Sequence, residues 1–264
     1  MTPYDFHQGS APLLVSIPHA GTRLTPEAEQ GLSPEALPLP DTDWHIPELY
    51  DFAAGLGASI IRGHYSRFVV DLNRAPDDTP LYASATTGLF PQTLFDGTPA
   101  WKAGQEPDDA CRQRWLAEIW QPYHQKLQAE LARIRQQHGY VVLYDAHSIA
   151  SVIPRLFDGA LPDINLGTND GNSCPPAMAQ AMVELCESYP QYRYVLNGRF
   201  KGGYITRQYG SPARRQYAVQ VELAQCNYMR ESHPFNLVDE KAKALKPLLR
   251  AFLERLANGG DFGA

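Results

Sequence analysis

The sequence predicts one α/β domain in which a mixed sheet carries helices on both faces. Short apolar runs that favour strands alternate with amphipathic helical patterns, and further strand-like runs follow late in the chain. No linker or internal repeat divides the 264 residues. Hydrophobic residues make up 44% of the chain and charged residues 20%, which is the composition of a globular protein with a substantial core. We therefore take residues 1–264 as a single domain.

The first half of the chain begins with a predicted strand at residues 12–18, PLLVSIP, which runs into a loop at Pro-His-Ala-Gly. Residues 41–57 predict a helix, because apolar side chains recur on one face and Asp41 or Asp43 can cap its N-terminus. Two further apolar runs predict strands: residues 58–61 and 67–72.

The second half continues the alternation of helices and strands. A long helical pattern covers residues 108–137, and Pro122 is expected to kink or split it. The predicted strands that follow are residues 140–144, 163–167, 192–197, 203–209 and 217–225. The predicted helices are residues 175–188 and 238–256.

Residues 75–107 form a long segment that is rich in Pro, Gly, Thr and Asp and has neither helical nor strand periodicity. A loop of this length inside a compact domain is more often functional than a passive connection, so we expect an active-site loop. A disordered insertion is the alternative. Four aromatic residues favour a packed loop over a disordered one: Tyr82, Phe90, Phe95 and Trp101.

Charge and cysteine usage limit the class of protein. The net charge of −6 gives no basic surface for nucleic acid or for an anionic membrane, and no apolar run is long enough to span a membrane. The four cysteines lie far apart, which favours reduced thiols over disulfides or a structural zinc site. The N-terminus has no pattern of a signal peptide. These features predict a cytoplasmic protein.

Reactive side chains follow the predicted strands where those strands end. His19, Arg74 and His147 come directly after apolar runs, and Asp43 stands at the start of the first predicted helix. Ligands bind at the carboxyl ends of the strands in open α/β sheets, so we expect these side chains to share a crevice. Glu222 alternates with valines in a late strand, and an ionised glutamate there needs a partner or a function.

These residue types fit a metal-dependent hydrolase. Two imidazoles and one carboxylate, from His19, His147 and Asp43, form a zinc site that leaves a fourth position for water. Glu222, outside the ligand set, can take a proton from the water and give it to a leaving amine. Asp145, two residues before His147, can orient that ligand. Each motif is weak by itself, and only the combination indicates this chemistry.

Several stretches, in the same order along nearly the whole chain, resemble the N-formylglutamate amidohydrolase family, the deformylases of histidine degradation. They are SIPHAGTRLTPEA, LPDTDWHIPELYDFA, SRFVVDLNR, LYDAHSIASVIPRLFDG, LPDINLGT, VLNGRFKGGYITRQYG and AVQVELAQ. That family is similar in plan to zinc carboxypeptidases and aspartoacylases. The resemblance implies a phosphorylase/hydrolase-like fold with a mixed sheet of about eight strands. It also implies hydrolysis of N-formyl-L-glutamate to formate and L-glutamate, as the last step of histidine degradation, with one zinc ion.

The resemblance also assigns roles to residues. It implies that His19 and His147 are the imidazole ligands and that Asp43 is the acidic ligand. Asp41 remains the alternative, because Asp43 follows His19 by 24 residues whereas the related enzymes place their acidic ligand much sooner. The implied catalytic base is Glu222. The other implied roles fall to Arg67, which polarises the scissile carbonyl, and to Asn73 and Arg74, which bind substrate carboxylate.

The implied substrate is a small N-acyl amino acid with two carboxylates, and arginine pairs with carboxylate through two parallel hydrogen bonds. Arg74 can bind one carboxylate, and Arg207 is the candidate for the other, with Arg199 behind it. A narrow pocket under the loop of residues 75–107 is expected to exclude acyl groups larger than formyl.

Three alternatives remain open. The Asp-Ala-His run also occurs in ureohydrolases with two manganese ions, but those sites need a further aspartate where this chain has Ile149. A binding protein without turnover would keep the arginines, although the complete set of ligands and base favours an enzyme. An aspartoacylase-like or carboxypeptidase-like activity would use the same site. The sequence does not select among zinc, iron, cobalt and manganese, and it does not predict the oligomeric state.

Overall fold

The computed structural model describes residues 2–80, 86–258 and 262. These residues form seven strands and seven α-helices. The strands are β1 (Tyr4–His7), β2 (Leu13–Ile17), β3 (Ser59–Gly63), β4 (Val141–Ile149), β5 (Ile164–Gly167), β6 (Tyr194–Leu196) and β7 (Gln216–Ala224). The helices are α1 (Pro26–Gly31), α2 (Ile46–Leu49), α3 (Asp109–Trp115), α4 (Gln121–His138), α5 (Pro176–Glu187), α6 (Tyr204–Tyr209) and α7 (Asp239–Ala257).

The strands form one mixed sheet in the order β1-β3-β2-β4-β7-β5-β6. The four central strands β3, β2, β4 and β7 are mutually parallel. β1 pairs antiparallel with β3, and β5 pairs antiparallel with β7 but parallel with β6. β2 and β4 are buried along their whole length because helices cover both faces of the sheet. The carboxyl ends of β2, β4 and β7 therefore meet at one edge of the sheet.

Two hydrophobic cores confirm the prediction of helices on both faces. One core packs α2, α5 and α7 against the sheet, and the other packs α3, α4 and α6 together with loop residues between 86 and 107. The long helical pattern is also confirmed. A π-helical turn at Leu116–Trp120 joins α3 to α4, so the helix is distorted just before Pro122.

Three sequence predictions of secondary structure are wrong. Residues 41–57 contain only the short helix α2 and a 3₁₀ turn, because His45 adopts a left-handed conformation (φ 62°) that prevents an earlier start. Residues 67–72 form turns, in which the amide of Asp71 bonds to the carbonyl of Leu89 in the loop instead of to a strand. Residues 203–209 contain helix α6, which begins where Asn73 accepts the amide of Ile205.

Two further differences concern the sheet. Strand β1, which pairs with β3 at one edge, is not among the predicted strands. The described residues give a seven-stranded sheet, close to the approximately eight strands that the resemblance implies.

Within the described ranges, no helix combines the length and the apolar character that crossing a membrane requires.

The described parts of the loop, residues 75–80 and 86–107, pack against the domain without forming a helix or a strand of the sheet. Trp101 is buried and donates through its indole nitrogen to the carbonyl of Pro91 at 2.8 Å. Asp78 accepts the amide of Leu89 and so ties the two described parts together. Phe90 and Phe95 also pack, whereas Tyr82 lies outside the described residues.

Candidate active site

A cavity opens at the edge of the sheet where β2, β4 and β7 end. It encloses about 560 Å³, including space that is open to solvent. The strand ends supply one side, and the turn of residues 66–74, the loop and the segment after β6 supply the other. The lining residues are His19, Asp43, Arg67, Asn73, Arg74, Thr86, Thr87, Phe95, His147, Ser148, Ile149, Leu156, Arg199, Phe200, Gly203, Gln220 and Glu222.

His19, Asp43 and His147 bring one ligand atom each to within 4.8 Å of the others. Asp43 Oδ2 lies 3.0 Å from His147 Nδ1 and 3.9 Å from His19 Nδ1. All three side chains are buried. Two imidazole nitrogens and one carboxylate oxygen that converge in this way form the donor set that zinc and similar divalent ions prefer.

The second nitrogen of each imidazole is held by a buried carboxylate. His19 Nε2 lies 2.7 Å from Asp71 Oδ1, and His147 Nε2 lies 2.9 Å from Asp145 Oδ2. A carboxylate that accepts from Nε2 fixes the proton there and leaves the lone pair of Nδ1 for a metal. Both rings are thus oriented with Nδ1 toward Asp43.

Asp43, and not Asp41, faces the histidines. Oδ2 of Asp43 also accepts the amide of Ser148 at 3.2 Å, and its own amide donates to the carbonyl of His19. Asp41 points the other way and accepts the amide of Phe95 in the loop at 2.8 Å. Burial raises the pKa of Asp41 to about 6. This geometry favours Asp43 over Asp41 as the acidic ligand.

The electrostatics of the three-residue group also suit a cation. Although burial lowers the pKa of His147, Asp145 and Asp43 hold it well above the usual value, so the ring attracts a proton between two carboxylates. A divalent ion at Nδ1 would replace that proton and offset the same negative charge. Burial lowers the pKa of His19, which keeps that ring neutral and able to act as a ligand. The residues present therefore fit a bound metal ion.

Glu222 lies beside the candidate metal ligands because β7 pairs in parallel with β4, with Glu222 in register with His147. Burial raises the pKa of Glu222 to about 8, with Asp43 and Asp145 adding to the shift and His147 and Arg67 offsetting part of it. Gln220, two residues earlier on the same face, donates to Glu222 Oε2 at 3.2 Å. A glutamate with this environment can accept and release a proton near neutral pH.

The turn of residues 66–74 carries several of the groups around the cavity. Asp71 accepts from Arg67 at 2.6 Å through Oδ2, and its Oδ1 accepts the amide of Asn73. Although burial raises the pKa of Asp71, His19, Arg67 and Arg74 hold it well below the usual value. One carboxylate thus positions both an imidazole and a guanidinium.

Three of the four predicted arginines line the cavity: Arg67, Arg74 and Arg199. Arg74 bonds to the carbonyl and hydroxyl of Thr87 and so connects the turn to the loop. Arg199 donates to the carbonyl of Leu156. Arg207 lies on α6 and donates to the carbonyl of Gly202 at 2.8 Å, and it is not among the lining residues.

Sequence reasoning missed Asp71, Gln220 and Phe95. Asp71 lies within the apolar run of residues 67–72, which predicts a strand, so its carboxylate does not stand out. The polar residues Asn73 and Arg74 that follow closely could have indicated a turn. Gln220 shares the strand alternation that identified Glu222, so the same signal could have found it. For Phe95, in an irregular loop, no periodic signal exists.

Comparisons with known proteins identify the family of the chain. A model of the family described as N-formylglutamate amidohydrolase matches residues 11–229. A protein of Pseudomonas aeruginosa named N-formylglutamate deformylase is 56% identical over 97% of this chain and 96% of its own length. The chain belongs to the N-formylglutamate amidohydrolase family. A second family relative, the N-formylglutamate deformylase of Pseudomonas putida, is 55% identical over the same share of both chains.

Solved structures show the same fold. The N-formylglutamate amidohydrolase of Ralstonia eutropha superimposes with a TM-score of 0.85 at 23% identity, covering 100% of both chains. A gene product of Agrobacterium tumefaciens superimposes with a TM-score of 0.74 at 18% identity, covering 98% of this chain and 94% of its own. The single α/β domain expected of the N-formylglutamate amidohydrolase family is thereby confirmed.

Proposed function

We propose that this chain hydrolyses the formamide bond of N-formyl-L-glutamate to formate and L-glutamate, with one zinc ion bound by His19, Asp43 and His147. The observation that carries the proposal is the convergence of the two Nδ1 atoms on Asp43 Oδ2 beside the buried Glu222, in a cavity lined by three arginines. The names of the two Pseudomonas relatives support the choice of substrate.

The chemistry needs a nucleophile, a proton carrier and a group that stabilises negative charge on the carbonyl oxygen. A divalent ion, when bound, supplies Lewis acidity, which makes water more acidic and the carbonyl more electrophilic. Glu222 takes a proton from water as the oxygen bonds to the formyl carbon. Glu222 then gives the proton to the nitrogen as the C–N bond breaks, so that glutamate leaves as an amine.

Arg67 is the proposed partner of the carbonyl oxygen. Its guanidinium is buried, and although burial lowers its pKa, Asp71, Asp43 and Asp41 raise the pKa above the usual value, so the group stays charged. Asp71 holds one edge of the guanidinium in place. A fixed cation in a buried site stabilises developing negative charge without reorganising during the reaction.

The two carboxylates of the substrate require cationic partners in a chain of net charge −6. We propose that Arg74 with Asn73 binds one carboxylate and that Arg199 binds the other. The lining of the cavity supports Arg199 for this position, with Arg207 behind it at the Gly202 carbonyl. Guanidinium groups favour carboxylates through charge-assisted, bidentate hydrogen bonds.

The proposal includes a pathway and a compartment. The reaction would be the last step of a histidine degradation pathway in the cytoplasm. All four cysteines are unpaired and three of them are buried, which supports a reducing compartment.

The alternative of a two-metal ureohydrolase is disfavoured, because the only group of metal-ligating side chains found among the described residues is His19, Asp43 and His147.

The test is an assay of glutamate release from N-formyl-L-glutamate by native, chelator-treated and zinc-restored protein, with the metal content measured on each sample. We expect activity to disappear with the metal and to return at one zinc per chain. His147→Ala is expected to abolish both zinc binding and turnover, whereas His7→Ala, at an exposed histidine of β1, keeps both. Turnover that survives complete metal removal would refute the mechanism, and two metals per chain would favour the ureohydrolase alternative.

A further inference from the structure

Phe95 stands at the tip of a tight turn in the loop. The amide of Leu94 donates to the carbonyl of Thr98 at 2.8 Å, and the amide of Gly97 donates back to Leu94 at 3.0 Å. Gly97 adopts φ 97°, a conformation that favours glycine. Residues 93 and 99 are paired below the turn, so the turn has a defined backbone. The side chain of Phe95 therefore projects from a fixed point.

Asp41 holds this turn against the active site. Its Oδ2 accepts the amide of Phe95 at 2.8 Å, although the two residues are 54 positions apart in the sequence. Asp41 precedes the candidate ligand Asp43 by two residues. The same short segment thus carries a candidate metal ligand on one side and the anchor of the loop on the other.

The ring of Phe95 covers the guanidinium of Arg67. The Cζ atom of Arg67 lies 4.5 Å from the centroid of the ring, within the range of a cation–π contact. Phe95 also lines the cavity and belongs to the same apolar cluster as three other lining residues: Ile149 at the end of β4, Leu156 after β4 and Phe200 after β6. The face of Arg67 is thereby closed, while Asp71 occupies one of its edges.

We infer that Phe95, positioned by Asp41, is the residue that restricts the acyl group of the substrate to formyl. The inference rests on the proposed function, in which Arg67 binds the carbonyl oxygen. When the carbonyl oxygen of the substrate accepts a hydrogen bond from the guanidinium of Arg67, the acyl carbon lies one bond beyond that oxygen. Any substituent on that carbon then lies beside the ring that covers the guanidinium. Hydrogen fits there, and a methyl group contacts the ring.

The measurement is the ratio of kcat/KM for N-acetyl-L-glutamate to kcat/KM for N-formyl-L-glutamate. This ratio is taken within one protein sample, so a smaller folded or metal-loaded fraction cancels. We expect Phe95→Ala to raise the ratio by about tenfold or more, since one carbon in an apolar pocket changes discrimination by about 10–200-fold. Phe95→Leu, which keeps an apolar side chain in the turn, is expected to raise it less.

Phe90 provides a matched control in the same loop. It too lies over an arginine, with Arg112 Cζ 5.6 Å from its ring, but it packs against Trp115 and does not line the cavity. Phe90→Ala is therefore expected to leave the ratio unchanged, even if it lowers stability.

Variants of Asp41 test whether this residue positions Phe95 or binds the metal. Asp41→Ala removes the acceptor of the Phe95 amide, and we expect the ratio to rise with the zinc content still at one per chain. Asp41→Asn keeps an acceptor oxygen, so the wild-type ratio should be retained. If Asp41→Ala loses its zinc, Asp41 is a metal ligand and not the anchor of Phe95, and that part of the inference fails.

The outcomes distinguish this inference from the proposed function. Wild-type protein that hydrolyses N-formyl-L-glutamate, with a ratio that is the same in Phe95→Ala and Phe90→Ala, would overturn the role of Phe95 and leave the proposed function intact. Wild-type protein that cleaves the acetyl compound as well as the formyl compound would also overturn it. A wild-type enzyme without turnover of N-formyl-L-glutamate would refute the proposed function itself.

Discussion

The cavity has two walls of different origin. The strand wall consists of His147 and Glu222, which lie in the paired strands β4 and β7, and of His19, which follows β2 by two residues. Hydrogen bonds of the sheet fix the backbone of His147 and Glu222. The loop wall, Arg67, Arg74, Phe95 and Arg199, stands on turns and irregular segments that are held mainly by side chains, such as those of Asp71 and Asp41. The difference suggests a division of labour. In the proposed function, the strand wall supplies both histidine ligands and the base, whereas the loop wall supplies the groups that contact the substrate, including Arg67 at the carbonyl oxygen.

The largest expected effect is at the strand wall. Glu222→Gln keeps the shape of the side chain but removes the proton acceptor, so kcat is expected to fall by about 10²–10⁴-fold. The zinc content should remain at one per chain, because Glu222 is not in the proposed ligand set. Steady-state kinetics and metal analysis of the same sample check both expectations.

Glu130→Gln is the matched control, since Glu130 is also buried but pairs with Ser59 and Arg133 away from the cavity. Its kcat should stay close to that of the wild type. A Glu222→Gln enzyme that retains more than about a tenth of the wild-type kcat would show that the base is elsewhere.

The next largest effect is expected at Asp71, which connects the two walls. Asp71 belongs to the turn of the loop wall, yet it orients the imidazole of His19 in the strand wall. Asp71→Asn should therefore weaken zinc binding by about 10–100-fold, the usual effect of losing such a partner. Competition with a chelator of known affinity measures this change independently of turnover.

Asp5→Asn serves as the comparison, because Asp5 is an exposed carboxylate that also pairs with a histidine, His64, far from the cavity. It should leave zinc affinity unchanged. If Asp71→Asn lowers kcat with full zinc affinity, Asp71 acts on Arg67 alone and the two walls are independent.

The third effect ranks Arg199, which belongs to the loop wall, against Arg207, which lies outside the cavity lining. A charge-assisted hydrogen bond contributes about 1.5–3 kcal/mol, so Arg199→Ala should raise KM for N-formyl-L-glutamate by about 10–100-fold with a smaller change in kcat. Arg207→Ala should change KM by less than about threefold, since it does not line the cavity. A larger increase of KM in Arg207→Ala than in Arg199→Ala would show that Arg207 is the carboxylate partner.

The same division explains what the sequence could predict. His19, His147 and Glu222 follow or interrupt apolar runs, and the carboxyl ends of parallel strands meet at one edge, so periodicity alone brings them together. Asp43 could be named but not separated from Asp41, because both precede α2 and only the tertiary path of the chain turns one toward the histidines and the other toward Phe95.

The resemblance named the arginines of the loop wall, but the backbone that carries them could not be predicted, because distant partners determine it. The run of residues 67–72 is as apolar as a strand, yet its backbone bonds go to its own turn and to Leu89. Residues 203–209 have β-branched and aromatic side chains, yet Asn73 caps them as a helix through the amide of Ile205. In both places tertiary contacts override local propensity. The aromatic side chain of Phe95 predicts packing, but no periodicity assigns it to the cavity.

The smallest expected effect concerns a support beneath the loop wall. His124, on α4, is buried, and its Nε2 donates to the carbonyl of Leu72 at 2.9 Å, which leaves Nδ1 to accept from the hydroxyl of Tyr209 at 2.8 Å. Burial lowers the pKa of His124 from 6.5 to about 3, and the bond to Leu72 offsets this only in part. The folded protein thus contains neutral His124 at a pH where the unfolded chain binds a proton.

The sign of the pH dependence follows. The contribution of neutral His124 to stability is complete above pH 6.5 and is lost as the pH falls from 6.5 toward about 3, because protons bind the unfolded chain first. His124→Gln keeps a donor for Leu72 but does not titrate. Between pH 6.5 and 5 the free energy of unfolding of the wild type should therefore fall by about 1.5 kcal/mol more than that of His124→Gln. Urea unfolding of both proteins in metal-free form at several pH values measures this difference without the pH dependence of metal binding. Equal losses in the two proteins would mean that the pKa of His124 is not lowered in the folded protein.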